Sequence, residues 1–154
     1  MLHRFSLFHL VLALTPLAQG ADFFTGVWKI ESAVVAPWWH EQTPPDPAWT
    51  RDLIGKTMRI APLSMEGPGL ITCAAPRYAV KLYPADLLFQ GNFGEMSRRD
   101  KSVHPARIAA SLGFRGTRWK TLETGCENQL DFHFLNSRTG AFALDNYIYT
   151  IRKK

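Results

Sequence analysis

Between residues 130 and 149 apolar and polar side chains alternate almost without a break, and this pattern excludes most folds. Leu130, Phe132 and Phe134 alternate with Asp131 and His133, and Phe142, Leu144 and Ile148 alternate with Ala143, Asp145, Tyr147 and Tyr149. A period of two marks strands with one face against a core. Between the two runs, Asn136-Ser137-Arg138-Thr139-Gly140 reads as a five-residue hairpin loop. Pairing Leu135 with Ala141 sets Phe134 against Phe142 and Phe132 against Leu144 on one face. A slip of one residue would scatter these pairs over both faces. The same register sets Asp131 opposite Asp145, a repulsion left to neighbouring Lys or Arg residues to relieve.

The rest of the chain reads as short strands separated by turn signals. Gly26–Val35 carries Val27, Trp28, Ile30, Val34 and Val35, residues that suit a pleated surface. Strand character returns at 53–61, 70–73, 77–83, 87–90 and 116–124, with Met65-Glu66-Gly67-Pro68-Gly69 as a turn. Residues 36–49 hold four prolines (Pro37, Pro44, Pro45 and Pro47), which exclude a central strand or a long helix. The polar segment 91–103 reads as an outward loop. His104-Pro105 opens one short helix near 105–112, with Ile108 and Leu112 on one face and Gly113 at its end. There is no βαβ rhythm and no internal repeat. The pattern implies an all-β fold, an antiparallel up-and-down barrel of about eight strands or a strongly coiled sandwich. A barrel would remove exposed strand edges.

Compartment is written at the N-terminus. His3 and Arg4 precede an apolar run over 5–17, and Ala18-Gln19-Gly20 forms a small-x-small site. Residues 1–20 thus read as a secretory signal peptide, too short in its apolar part to span a bilayer, with a buried N-terminal helix or an anchor as the rival. No cysteine follows the site to take a lipid. The expected product, 21–154, is a single β-barrel domain in the periplasm or secreted, with no transmembrane segment after cleavage. Losing Arg4 leaves 17 of the 18 basic residues against 13 acidic ones, a net charge of about +4 that falls short of evidence for nucleic-acid binding. Cys73 and Cys126, the two cysteines, read as a disulfide in an oxidising compartment, against two free thiols or half of a metal site. Closing a loop of roughly 54 residues would remove about 4 kcal/mol of denatured-state entropy.

Phe24-Thr25-Gly26-Val27-Trp28 resembles the Gly-x-Trp opening of lipocalin-like (calycin) barrels. The resemblance implies that Gly26 permits close backbone approach and that Trp28 closes the barrel base. It also implies a late-strand cation over that indole, for which Arg152 is in the right part of the chain. The same opening, with one disulfide, is similar to small periplasmic inhibitor barrels that block secreted metalloproteases.

Chemistry is less legible. Trp38, Trp39 and His40, with Trp49, are costly residues for a loop, and they read as a lid over one barrel mouth that would double as a ligand gate. Residues 98–120 carry Arg98, Arg99, Lys101, Arg107, Arg115, Arg118 and Lys120 against Asp100 alone, either a solvated face or a site for an acidic partner, anionic ligand or membrane surface. His40, His104 and His133 lie at no metal-ligand spacing, and His133 reads as a structural, hydrogen-bonded side chain on the outer face near Asp131. No catalytic motif, cofactor motif or metal set stands out, although an enzyme assembled from distant residues stays open. The leading expectation is a monomeric, non-catalytic protein holding a small apolar or amphipathic ligand. Trp28, Phe132, Phe134 and Phe142, with Leu144 and Ile148, would line the cavity, and Trp38 and Trp39 would guard it. The alternative is a periplasmic inhibitor or docking barrel that engages an exported protein through loop 36–49.

Overall fold

The computed structural model describes residues 23–154, and the leader read at 1–20, with its cleavage site, lies outside the described residues. Eight antiparallel strands form one strongly curled sheet, a half-barrel, so the fold is mostly β. In chain order they are β1 (Gly26–Val35), β2 (Thr57–Ala61), β3 (Ser64–Glu66), β4 (Ala79–Tyr83), β5 (Trp119–Glu123), β6 (Asp131–Asn136), β7 (Thr139–Leu144) and β8 (Tyr147–Lys153). Their spatial order, β3-β2-β1-β8-β7-β6-β5-β4, is that of an up-and-down barrel opened at one seam. It is compatible with a calycin-like fold.

The seam lies between the edges of β3 and β4. Among the described residues no ladder joins them. β3 has three residues, and Met65 exchanges both backbone hydrogen bonds with Cys73 (2.7 and 2.9 Å), which occupies that edge. Cys73 is bonded in turn to Cys126, just beyond β5. The Tyr78 hydroxyl donates to the Ser64 carbonyl (3.1 Å), and the Asn128 amide donates to the Leu70 carbonyl (2.6 Å). Side chains and one disulfide thus do the joining that strand pairing performs in a closed barrel.

Alternation gives the sheet two buried faces. The inner face gathers Trp28, Ile30, Met58, Ile60, Met65, Leu122, Phe132, Phe134, Phe142, Tyr149 and Ile151. The outer face of β5 to β8 carries Trp119, Ala141 and Ile148, covered by Leu88, Phe89, Phe93, Ala109 and Phe114. These come from a helical layer built on α2 (Asn92–Arg99) and α3 (Pro105–Ser111), beside a 3-10 turn at Ala85–Leu87; α1 (Ala48–Arg51) is a single turn elsewhere.

That layer corrects two readings. Segment 91–103 is not an outward loop, because α2 buries Phe93 and Gly94 against the sheet. Residues 87–90 are not a strand: the 3-10 turn ends at Leu87, and Phe89 and Gln90 turn the chain in left-handed conformations (φ 52° and 56°). The helix read near 105–112 is present as α3. Residues 70–73 contribute a 3-10 turn and the lone Cys73 bridge rather than a strand.

The C-terminal register also differs. β6 and β7 pair Phe134 with Gly140 and His133 with Ala141, so the hairpin turns at Ser137-Arg138 and sits two residues from the expected pairing. A shift of two keeps every side chain on its own face. Phe132 therefore meets Phe142 rather than Leu144, with ring centroids 5.4 Å apart, and Phe134 no longer faces Phe142. Asp145 and Asn146 both have positive φ (51° and 62°), the geometry of a two-residue hairpin turn between β7 and β8. Asp145 is therefore not opposite Asp131, whose partner is Glu123. The turn also resets the alternation, placing Tyr147 and Tyr149 inside and Ile148 outside.

Candidate ligand-binding groove

Where β4, β5 and β6 end, the inner face opens into a groove of about 400 Å³. Its apolar surface comes from Phe23, Leu82, Trp119, Phe134 and Leu135, and its rim carries Arg115, Arg118 and Lys120. Register explains the placement. Leu82 is opposite Lys120 and Lys120 is opposite Phe134, so the three share the inner face across neighbouring strands. β4 is the edge strand, so Leu82 stays 57% exposed. Phe23 packs edge-on against Phe134 (4.9 Å between centroids), and Lys120 Nζ stands 4.7 Å from the Phe23 ring centre. Arg115 presents its carbonyl to the Trp119 indole (3.3 Å). Among the described residues Arg115, Arg118 and Lys120 have no carboxylate partner, and no acidic side chain lines the groove.

The residues singled out in the sequence divide between the two faces. Trp28, Phe132, Phe134 and Phe142 come together in the inner cluster. Trp28 is fully buried, its indole donates to the Phe24 carbonyl (2.7 Å), and Phe134 lies beside it. Phe142 stacks on Tyr149 with 13° between ring planes. Of these four, Phe134 reaches the groove. Trp38 belongs to the outer cluster, 6.0 Å from both Phe89 and Phe93, and the Trp39 indole donates to the Thr43 carbonyl within its own loop (2.9 Å). Tyr147 and Tyr149 hold that loop by donating to the Pro45 and Trp49 carbonyls.

Gly26 adopts φ 131°, and the position a Cβ would take lies 3.0 Å from the Lys153 side chain. Lys153 passes there to set its Nζ 5.5 Å from the Trp28 ring centre and to donate to the Phe23 carbonyl (2.8 Å). The cation over the indole is Lys153, not Arg152. Strand alternation turns Arg152 to the opposite face, where it pairs with Glu31 (2.8 Å).

A second polar arrangement lies on the outer face. His133 is fully buried, with Nε2 accepting from the Phe89 N–H (2.9 Å) and Nδ1 2.8 Å from the Thr121 hydroxyl. Because Nε2 accepts, the ring proton sits on Nδ1 and is donated to Thr121. Burial pushes the imidazole pKa down to about 3. Nearby, hydrogen bonds from Lys81 (2.7 Å) and Tyr83 hold the Glu123 carboxyl below its ordinary range. Opposite it, burial and then the Glu123 charge push Asp131 up to about 6. Two neighbouring carboxyls with separated pKa values suit acid–base work, but neither lines the groove. Among the described residues no group of three or more His, Cys, Asp or Glu side chains could hold a metal ion, and no helix is long and apolar enough to cross a membrane.

Sequence reasoning marked Phe134 and the basic run but gave Leu82 and Phe23 no part in a site. The alternation of Tyr78, Val80 and Leu82 was the available signal. What it lacked was the knowledge that β4 is an edge. By class, the molecule is a mostly-β, up-and-down half-barrel with a disulfide-joined seam and a basic-rimmed apolar groove. No family model matches the chain, and no curated protein or solved structure is significantly similar to it.

Proposed function

We propose that this is an exported, lipocalin-like, non-catalytic binding protein for a small amphipathic ligand. The ligand's apolar part would lie on Phe23, Leu82 and Phe134, with its anionic end beside Arg115, Arg118 and Lys120. The observation that carries the reading is the coincidence of an apolar floor, open to solvent chiefly at Leu82, with three cations that lack carboxylate partners among the described residues. Apolar contact would supply most of the affinity, while the cations would select the head group. The Cys73–Cys126 bond supports an oxidising compartment and hence export. The resemblance at Gly26-Val27-Trp28 draws support from Trp28, fully buried in the inner cluster with a late-strand cation, Lys153, over it. Docking through loop 36–49 has less in its favour, since Trp38 and Trp39 are engaged within the protein.

Calorimetric titration with dodecanoate and with dodecanol tests this reading. Saturable binding of the carboxylate, weakened roughly ten-fold in Arg115→Gln/Arg118→Gln, is the expected result for loss of two charge-assisted contacts. Equal binding of acid and alcohol would remove the role of the cations. Binding of neither would remove the reading.

A further inference from the structure

The opposite end of the sheet carries a second, chemically different site. Four separate connections converge there: Trp38 from the β1–β2 loop, Gln90 before α2, Gln129 before β6, and the Asp145-Asn146 turn between β7 and β8. Together they line a shallow pocket of about 280 Å³. Loops from a rigid scaffold that meet at one point are where binding residues concentrate.

The backbone there is unusual. The described non-glycine residues with positive φ are Phe89, Gln90, Gln129, Asp145 and Asn146, and four of these five line this pocket. The Asp145-Asn146 pair is what a two-residue hairpin turn selects. Phe89, Gln90 and Gln129 have no such excuse, and left-handed non-glycine residues persist where surrounding structure over-determines them. Phe89 is held by its bond to buried His133, and the Gln90 amide donates to the Gln129 carbonyl (3.2 Å).

The chemistry is that of uncharged, hydroxyl-rich recognition. The Trp38 indole N–H, the Asn146 and Gln129 amides and the Asp145 carboxylate have no hydrogen-bond partner among the described residues. Amides both donate and accept, as do adjacent sugar hydroxyls, and an indole beside them offers an apolar surface to the C–H face of a pyranose ring. Among the described residues no Lys or Arg lines the pocket, so they supply none of the cations that an anionic ligand would require.

We propose that Trp38, Gln90, Gln129, Asp145 and Asn146 form a binding site for a neutral saccharide, separate from the amphiphile groove. The site takes one or two sugar rings, with the indole as platform and the amides and carboxylate fixing hydroxyl positions.

Proton–nitrogen correlation NMR tests this on the mature chain, using cellobiose, maltose and chitobiose as probes and the Trp38 indole signal, assigned through Trp38→Phe, as reporter. At least one disaccharide should move that signal saturably with a dissociation constant near or below about 10 mM. Gln129→Gly/Asn146→Gly, which removes both amides while keeping the left-handed backbone, should weaken the binding at least about five-fold without lowering the melting temperature. Arg118→Gln should leave it unchanged. No saturable shift up to about 50 mM of any probe, or equal shifts in the parent and the amide-deleted variant, would overturn the proposal.

Discussion

His133 and Asp131 sit two residues apart on β6, yet they tie stability to pH in opposite directions. His133 is neutral in the fold down to about pH 3, whereas the unfolded chain protonates it below about 6.5. The unfolded state therefore binds the extra proton, and stability present above pH 6.5 is lost as pH falls toward 3, by at most about 1.4 kcal/mol per pH unit. Asp131 keeps its proton up to about pH 6, well above the ordinary aspartate value of 3.8, so it disfavours the fold as pH rises through that window. It is only half-buried, which makes its contribution the smaller. The two partly cancel between about pH 4 and 6. Urea denaturation at pH 6.5, 5.5 and 4.5 should show Asp131→Asn losing more stability on acidification than the parent. Equal losses would place the acid sensitivity elsewhere.

Among the elements, those whose burial follows from one face were legible and those defined by the second layer were not. The strands around Trp28, Phe132 and Phe142 follow from alternation, because an inner face needs only a period of two. The short run 87–90 carried no periodicity to separate a strand from a buried turn. α2 presents the fully buried Phe93 and the partly buried Met96 on an otherwise polar sequence that is internally tied by Glu95 to Arg98 (2.5 Å) and Arg99 (2.9 Å). Two apolar residues in a single turn make too short a stripe to mark a helix. The parity change at Asp145-Asn146 escaped for a similar reason: those residues fit a continuing strand pattern until their positive φ is known. Because Phe93 is the one large side chain that α2 buries completely, Phe93→Ala should destabilise the protein by about 3–5 kcal/mol. The companion change Glu95→Gln, at a solvent-exposed ion pair, should leave stability nearly unchanged. Similar effects of the two in a denaturant series would mean that α2 is held by its surface charges.

Across the whole molecule, the antiparallel order and the cysteine pairing could be read from the residues, but the open seam could not. Nothing in the pattern of 64–66 or 77–83 says that Cys73 takes the edge of β3 that a closed barrel would pair. The groove was hidden for the same reason, since Leu82 is exposed only because β4 is left without a neighbour. Reducing Cys73–Cys126 removes the covalent join. Hydrogen exchange should then accelerate in β3 and residues 69–78 while β1 and β8, paired on both sides, stay protected. Uniform acceleration would show that the disulfide stabilises the entire sheet rather than its seam. The binding account adds that the inner cluster is packing and the groove is the working surface.

Methyl and aromatic NMR during a dodecanoate titration tests that division most directly. The expected result is saturable shifts at the Leu82 methyls and at the Phe23 and Phe134 rings, with Phe132 and Phe142 unmoved. Shifts centred on Phe132 and Phe142, or none at Leu82, would contradict it.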